Sequence, residues 1–226
     1  MENDSEIYWS GQGVNAVFKI PIARYDNKDL TGELKKYILS KNLKQSESTV
    51  APHQKQNIVE SKFNFFNDDI EIVQKTAQWI AECVGKTVNF IQSDGSGDIS
   101  YKIIFNDSWY HITKTNGIHE IHMHAGCSWC GVYYVDSGDE KKGGDTVFRN
   151  PVQSTYADVG SLYLNNISQH RVEAEDGKLI LFPSFLNHYQ SLYEGTKDRI
   201  VIAFNASVWP RESGQLQQTK LGIGLD

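Results

Sequence analysis

The stretch HEIHMHAGCSWCGVYYV, residues 119–135, places three histidines and a glutamate within six positions. A Cys-x-x-Cys follows, then a run of β-branched and aromatic residues. That tail reads as a strand. In an extended chain successive side chains point to opposite faces. Glu120, His122 and His124 therefore share one face, and His119, Ile121 and Met123 take the other. On this reading His119 turns away from the His122/His124 face, and Ile121 and Met123 form a core or lining side.

Outward from this stretch the second half of the chain is a series of short β-rich runs. They are TVNFIQ (87–92), SYKIIFND (100–107), WYHITKT (109–115), GIHEIHMHA (117–125), CGVYYVD (130–136), DTVFRNP (145–151), SLYLNN (161–166), KLILFPS (178–184) and RIVIAFNASV (199–208). Turn-forming segments such as SDGSGD and EDGK separate them, as in a sandwich, barrel or jelly roll. Two helical patterns precede these runs. Residues 28–41 align Leu30, Leu34, Tyr37 and Ile38 on one stripe, with Asp29 as N-cap. Residues 68–84 align Ile70, Val73, Ala77, Ile80 and Val84, with Asn67 or Asp68 at the start and Gly85 as the stop. Helices that come before the strands, rather than between them, argue against a parallel βαβ sheet. Two polar loops, 44–57 and DSGDEKKGGD (136–145), stand out. The first reads as mobile and the second as a hairpin connection.

Composition narrows the function classes. The 226 residues are 39% hydrophobic and 12% aromatic, with a net charge of -6. Mean hydropathy is -0.46 and there is no long apolar run, so a membrane partner is not expected. A negative balance without a basic stripe argues against nucleic acid. The polar opening MENDSEIYWSGQG does not read as a secretory signal, and three cysteines are an odd number. Both points suggest a reducing, cytoplasmic setting. Cys83 falls on the core stripe of the second helix. His53, His111 and His170 read as ordinary structural histidines.

Two imidazoles at i and i+2 can grip one metal ion from a single strand. A third ligand from a later strand completes a facial set that leaves coordination positions open, as in non-heme Fe(II) oxygenases. His188, after LILFPSFLN, is the candidate. Eleven residues on, Arg199 opens a strand in which Arg199, Val201, Ala203 and Asn205 share a face. A guanidinium aimed into an apolar pocket suits a carboxylate. The competing local reading is a Cys2His2 zinc knot with Cys127 and Cys130, but it would crowd four ligands into nine residues ahead of a strand. A thioredoxin-like pair would need a helix after the motif. The cysteines read instead as small packing residues. Trp109, Tyr110, Trp129, Phe148 and Asn205 are candidate pocket walls.

HMHAGCSWCGVYYV, GGDTVFRNP, GKLILFPSFLNHYQS and DRIVIAFN together resemble the iron- and 2-oxoglutarate (2OG)-dependent oxygenases, specifically a branch found in bacteria and marine phages. The resemblance covers residues 101–207. It implies a mainly β, double-stranded β-helix (a cupin-like jelly roll) with N-terminal helices packed on the sheet. The whole of 1–226 would be one domain: helical support over 1–100, catalytic core over 101–207 and a tail over 208–226. It implies Fe(II), 2OG and O2, with hydroxylation of a substrate and release of succinate and CO2. His122 and His188 match iron ligands. Arg199 matches the residue that binds the distal carboxylate of 2OG, and Tyr134 a hydroxyl donor to the same group. Asn205 is assigned to the cofactor side. The chain departs from the family at His124, where most members carry Asp or Glu. His124 ligates, giving a three-His face, or Glu120 supplies a carboxylate from the same side of the strand, or the position is left to water or halide. The alternative class is a cupin-like metal-binding protein, or a three-His dioxygenase that does not use 2OG. The prime substrate and the oligomeric state, a homodimer included, stay open.

Overall fold

The computed structural model describes residues 20–92, 101–151 and 168–210. Within them the chain forms β1 (Ala23–Asp26), α1 (Thr31–Ser40), β2 (Lys55–Glu60), α2 (Glu71–Gln92), β3 (Tyr101–His122), β4 (Trp129–Asp136), β5 (Thr146–Arg149), β6 (Gln169–Val172), β7 (Lys178–Pro183), β8 (His188–Tyr193) and β9 (Arg199–Pro210). All strand pairings are antiparallel, in the order β1-β7-β4-β9-β3-β8-β5-β6, with β2 beside β3. The sheet curls into a half-barrel, and β3 joins its two parts. Residues 101–113 of β3 pair with β9, and residues 117–122 pair with β8.

Alternation along the strands builds two apolar layers. Tyr133 and Val135 of β4, with Ile200, Ile202, Phe204 and Ala206 of β9, face the helices. There they meet Leu34 and Ile38 of α1 and Ile80 and Val84 of α2. The opposite face carries Cys130, Tyr134 and Val201, which pack with Phe148, Phe182 and Leu186 inside the curl. Truncating one of these fully buried aliphatic side chains to Ala costs about 2–5 kcal/mol. Gly131 marks the tightest point: a Cβ there would lie 3.0 Å from the Ile180 carbonyl and would overlap the Phe204 ring.

Several sequence expectations are corrected. The residue before α1 is Leu30, which ends a short 3-10 turn (Lys28–Leu30), so Asp29 does not cap the helix. α2 begins at Glu71 and runs through Gly85 to Gln92, so TVNFIQ is helical rather than a strand. Packing decides this, because Thr87 and Val88 are buried and the Thr87 hydroxyl donates back to the Cys83 carbonyl at 2.9 Å. The runs 100–107, 109–115 and 117–125 fuse into the single strand β3. Part of the loop at 44–57 is strand β2. The segment 136–145 is not a hairpin, because β4 and β5 pair with different strands. It is held by hydrogen bonds from Asp139 N–H to the Tyr193 hydroxyl and from Gly144 N–H to the Leu192 carbonyl. SLYLNN lies outside the described residues. Among the described residues, no helix is long and apolar enough to cross a membrane.

Candidate metal centre

His188 opens β8, where its Cα pairs with His122 of β3 on one side and Phe148 of β5 on the other. His124 follows the end of β3, and its N–H donates to the Ser184 carbonyl at 3.1 Å. This brings His122, His124 and His188 together, with one ligand nitrogen from each within 4.8 Å of the others. Ring centroids lie 4.4 Å apart for His122–His188 and 5.2 Å for both His122–His124 and His124–His188. Trp109 stacks on the outer face of His124. Phe148 and Phe182 flank His188. Glu120 is exposed and stands outside the cluster.

The three rings suit a divalent cation. His122 Nδ1 lies 2.7 Å from the Glu120 carbonyl, and His188 Nδ1 lies 2.9 Å from the Leu186 carbonyl. Those bonds fix each ring through Nδ1–H and leave Nε2 as a lone-pair donor. Burial holds all three below the ordinary imidazole value, His124 at about 4, so they are neutral donors at pH 7.

His119 departs from the alternation rule. Between His119↔Gln190 and His122↔His188, β3 advances three residues while β8 advances two. This bulge flips the facing of the strand. His119 therefore stacks on His122 at 4.1 Å and lines the cavity, while Ile121 and Met123 are 48% and 63% exposed rather than core. His111 also faces the cavity. Its Nε2 lies 2.5 Å from Glu60 Oε2, and Lys55 Nζ lies 2.6 Å from Glu60 Oε1. Burial raises the Glu60 carboxyl, but His111 and Lys55 outweigh it and hold the group at about 2. Of the expected pocket walls, Trp109 lines the cavity and Phe148 packs against His188. Tyr110 is buried in the helix-facing core, and Trp129 packs against that core.

The far wall of the cavity is Arg199. It is 1% exposed, and among the described residues it forms no ion pair with a carboxylate. Its Nη1 donates to Gln190 Oε1 at 2.8 Å and lies 3.5 Å from the Thr113 hydroxyl, while its buried Nε has no partner among the described residues. The guanidinium sits over the Tyr134 ring at 5.1 Å. The Tyr134 hydroxyl accepts from Thr146 N–H at 3.1 Å and lies 2.7 Å from the Thr146 hydroxyl. A buried, incompletely partnered cation is costly unless an anion joins it, so the donor set fits a carboxylate. Asn205 lies behind the metal cluster. It hydrogen-bonds His124 and donates to Asp107 Oδ2 at 3.1 Å. Gln190, Thr113 and Thr146 were not foreseen in the sequence. Only strand register, Thr113↔Arg199 and Thr146↔Gln190, brings them to the guanidinium.

Residues 107–205 match the family model described as "Putative 2OG-Fe(II) oxygenase". No curated protein matches by sequence. The fold is similar to that of the viral collagen prolyl hydroxylase of Paramecium Bursaria Chlorella virus-1 in its 2OG complex. That match has 14% identity and a TM-score of 0.54, over 82% of this chain and 94% of that one. A Pseudomonas putida prolyl-4-hydroxylase is similar at 12% identity and TM-score 0.54, over 85% and 94%. HygX from Streptomyces hygroscopicus, with nickel and 2-oxoglutarate bound, is similar at 7% identity and TM-score 0.54, over 83% of each chain. The family match is carried by residues 107–205, somewhat less than half of the chain. That match, the fold shared with 2OG-bound structures and the three-His cluster are together consistent with Fe(II) and 2OG as cofactors.

Proposed function

We propose that this protein is a 2OG-dependent dioxygenase that hydroxylates its prime substrate, with iron held by His122, His124 and His188. When bound, Fe(II) and 2OG supply the oxidising chemistry, in which O2 is consumed and 2OG leaves as succinate and CO2. The protein's own residues bind, orient and exclude water. The carbonyls of Glu120 and Leu186 fix two of the imidazoles, and Asn205 fixes the third, His124. Asn205 thus serves the cofactor through His124. Arg199 takes the distal carboxylate of 2OG, with Tyr134 beneath the guanidinium and the Thr146 hydroxyl beside it. Trp109, Phe148 and Phe182 keep the rings dry, which strengthens each electrostatic contact.

The observation that carries this reading is the buried Arg199, within a cavity that also holds three neutral imidazoles, with its Nε unpartnered. A three-His protein that does not use 2OG has no need of that cation. The test is conversion of 2OG to succinate by the Fe(II)-loaded protein, followed by NMR. Slow, substrate-independent succinate release that disappears in Arg199→Met is expected. An iron-loaded protein that neither converts 2OG nor is stabilised by it would move the assignment to the cupin-like class.

A further inference from the structure

Cys127 and Cys130 sit beside the metal cluster without joining it: among the described residues, the cluster is made of the three histidines alone. Both thiols are free, and their sulfurs lie 3.7 Å apart. Cys130 is fixed in β4, where it pairs with Asn205 of β9 and Phe182 of β7. Cys127 is in the preceding loop, just after Gly126 (φ +72°), and is partly exposed. The Cys130 thiol donates to Asn205 Oδ1 at 3.4 Å. The same Asn205 side chain hydrogen-bonds His124 and Asp107.

We propose that Cys127 and Cys130 form a reversible disulfide when a hydroperoxide reaches the protein, and that this oxidation weakens the metal site by releasing Asn205. An S–S bond is about 2.05 Å long, so the sulfurs need to close by about 1.7 Å. The mobile partner is Cys127, because β4 holds Cys130 on both edges. The pair is chemically asymmetric. Cys127 is partly exposed and can meet a peroxide, whereas Cys130 is buried, and Cys127 and burial push its thiol up. Cys127 is thus the attacking thiolate and Cys130 the resolving thiol.

The Cys127 sulfur attacks one peroxide oxygen, the O–O bond breaks, and hydroxide leaves as a sulfenic acid forms on Cys127. The Cys130 sulfur then displaces that hydroxyl as water, and the S–S bond closes. Overall, two thiols lose two hydrogens and one hydrogen peroxide becomes two waters. The donor to Asn205 Oδ1 is consumed in the second step. Asn205 then loses one of the contacts that hold it against His124, and loss of such an outer partner typically weakens a metal site by about 10-fold or more. This coupling rests on His124 being a metal ligand; the disulfide does not.

The test treats the full chain with hydrogen peroxide, quenches with catalase, and counts alkylated thiols in denaturant. Reduced protein gives three. Oxidised protein is expected to give one, Cys83, with a mass loss of 2 Da that dithiothreitol reverses. Cys127→Ser is expected to show no such loss. Three alkylated thiols after peroxide, or thiol loss with added oxygen mass and no S–S bond, overturns the disulfide. Co(II) titration of the two forms tests the coupling, with about 10-fold weaker binding expected after oxidation. Equal affinity overturns the coupling while leaving the disulfide standing. Reduced protein that binds no Co(II) removes the metal reading and the coupling with it.

Discussion

His122 and His188 face each other in register across β3 and β8, with their ring centroids 4.4 Å apart. The pairing ties two candidate ligands, 66 residues apart in sequence, to one backbone ladder. The third, His124, is held from outside by Trp109 and Asn205. The cluster is therefore preorganised by the sheet, and metal affinity is expected to depend on all three rings.

His188→Ala removes the ligand embedded most deeply. Loss of an outer partner alone costs about 10- to 100-fold in affinity, so loss of the ligand is expected to weaken Co(II) binding by at least about 100-fold. His124→Asp restores the carboxylate that most of the family carries, and it is expected to keep metal binding while making the site one unit less positive. Titration calorimetry with Co(II) distinguishes the two. Tight binding by His188→Ala would remove that residue from the ligand set.

Arg199→Met separates binding from folding. A buried charge replaced by an apolar side chain of similar size is often neutral or stabilising, so the free variant is expected to melt at or above the wild-type temperature. The loss of charge-assisted hydrogen bonds costs about 2 kcal/mol, which is roughly 30-fold in 2OG affinity. A thermal melt with Mn(II), with and without 2OG, is expected to show a 2OG-dependent shift in wild type only.

Gly144 tests the same cation through the backbone. It has φ +76°, and a Cβ there would lie 2.6 Å from Arg199 Cδ and Nε. Gly144→Ala is expected to cost about 1–3 kcal/mol in strain and to weaken 2OG binding by displacing the guanidinium. Urea melts and 2OG titration read the two effects, and a variant with wild-type 2OG affinity would contradict the close packing.

Glu60 gives the pH dependence. Its carboxyl is lowered to about 2 in the folded protein, so its contribution is present above the ordinary carboxylate value and is lost as pH falls through about 2. The full effect is on the order of 3 kcal/mol. Wild type is expected to lose stability as pH falls from the ordinary carboxylate value of 4.5 toward about 2, and Glu60→Gln less so, as read by urea midpoints across that range. Parallel curves would show that the Lys55–Glu60–His111 cluster contributes nothing to folding.

The architecture was legible because β4, β7 and β9 alternate or run apolar without interruption, and because both helices precede β3–β9; the short strands β1 before α1 and β2 between the helices were not read. The candidate ligands could be singled out because His122, His124 and His188 stand beside strand signals. What failed was local parity and long-range register. A one-residue bulge at His119–His122 turned His119 inward, which no period-2 count could show. TVNFIQ carries strand-like residues, yet Thr87 and Val88 extend a helix because they pack on the core. Gln190, Thr113, Thr146 and the Glu60–His111 pair became visible only when pairing put them around one cavity.

The most direct test of the central claim is anaerobic. Fe(II) is added to the apo protein, then 2OG, and the visible spectrum is followed for the weak absorption that a 2-oxo acid gives on binding Fe(II). The band is expected to form in wild type, to be lost in His188→Ala, and to need far more 2OG in Arg199→Met. Iron binding without the band in wild type would contradict the claim.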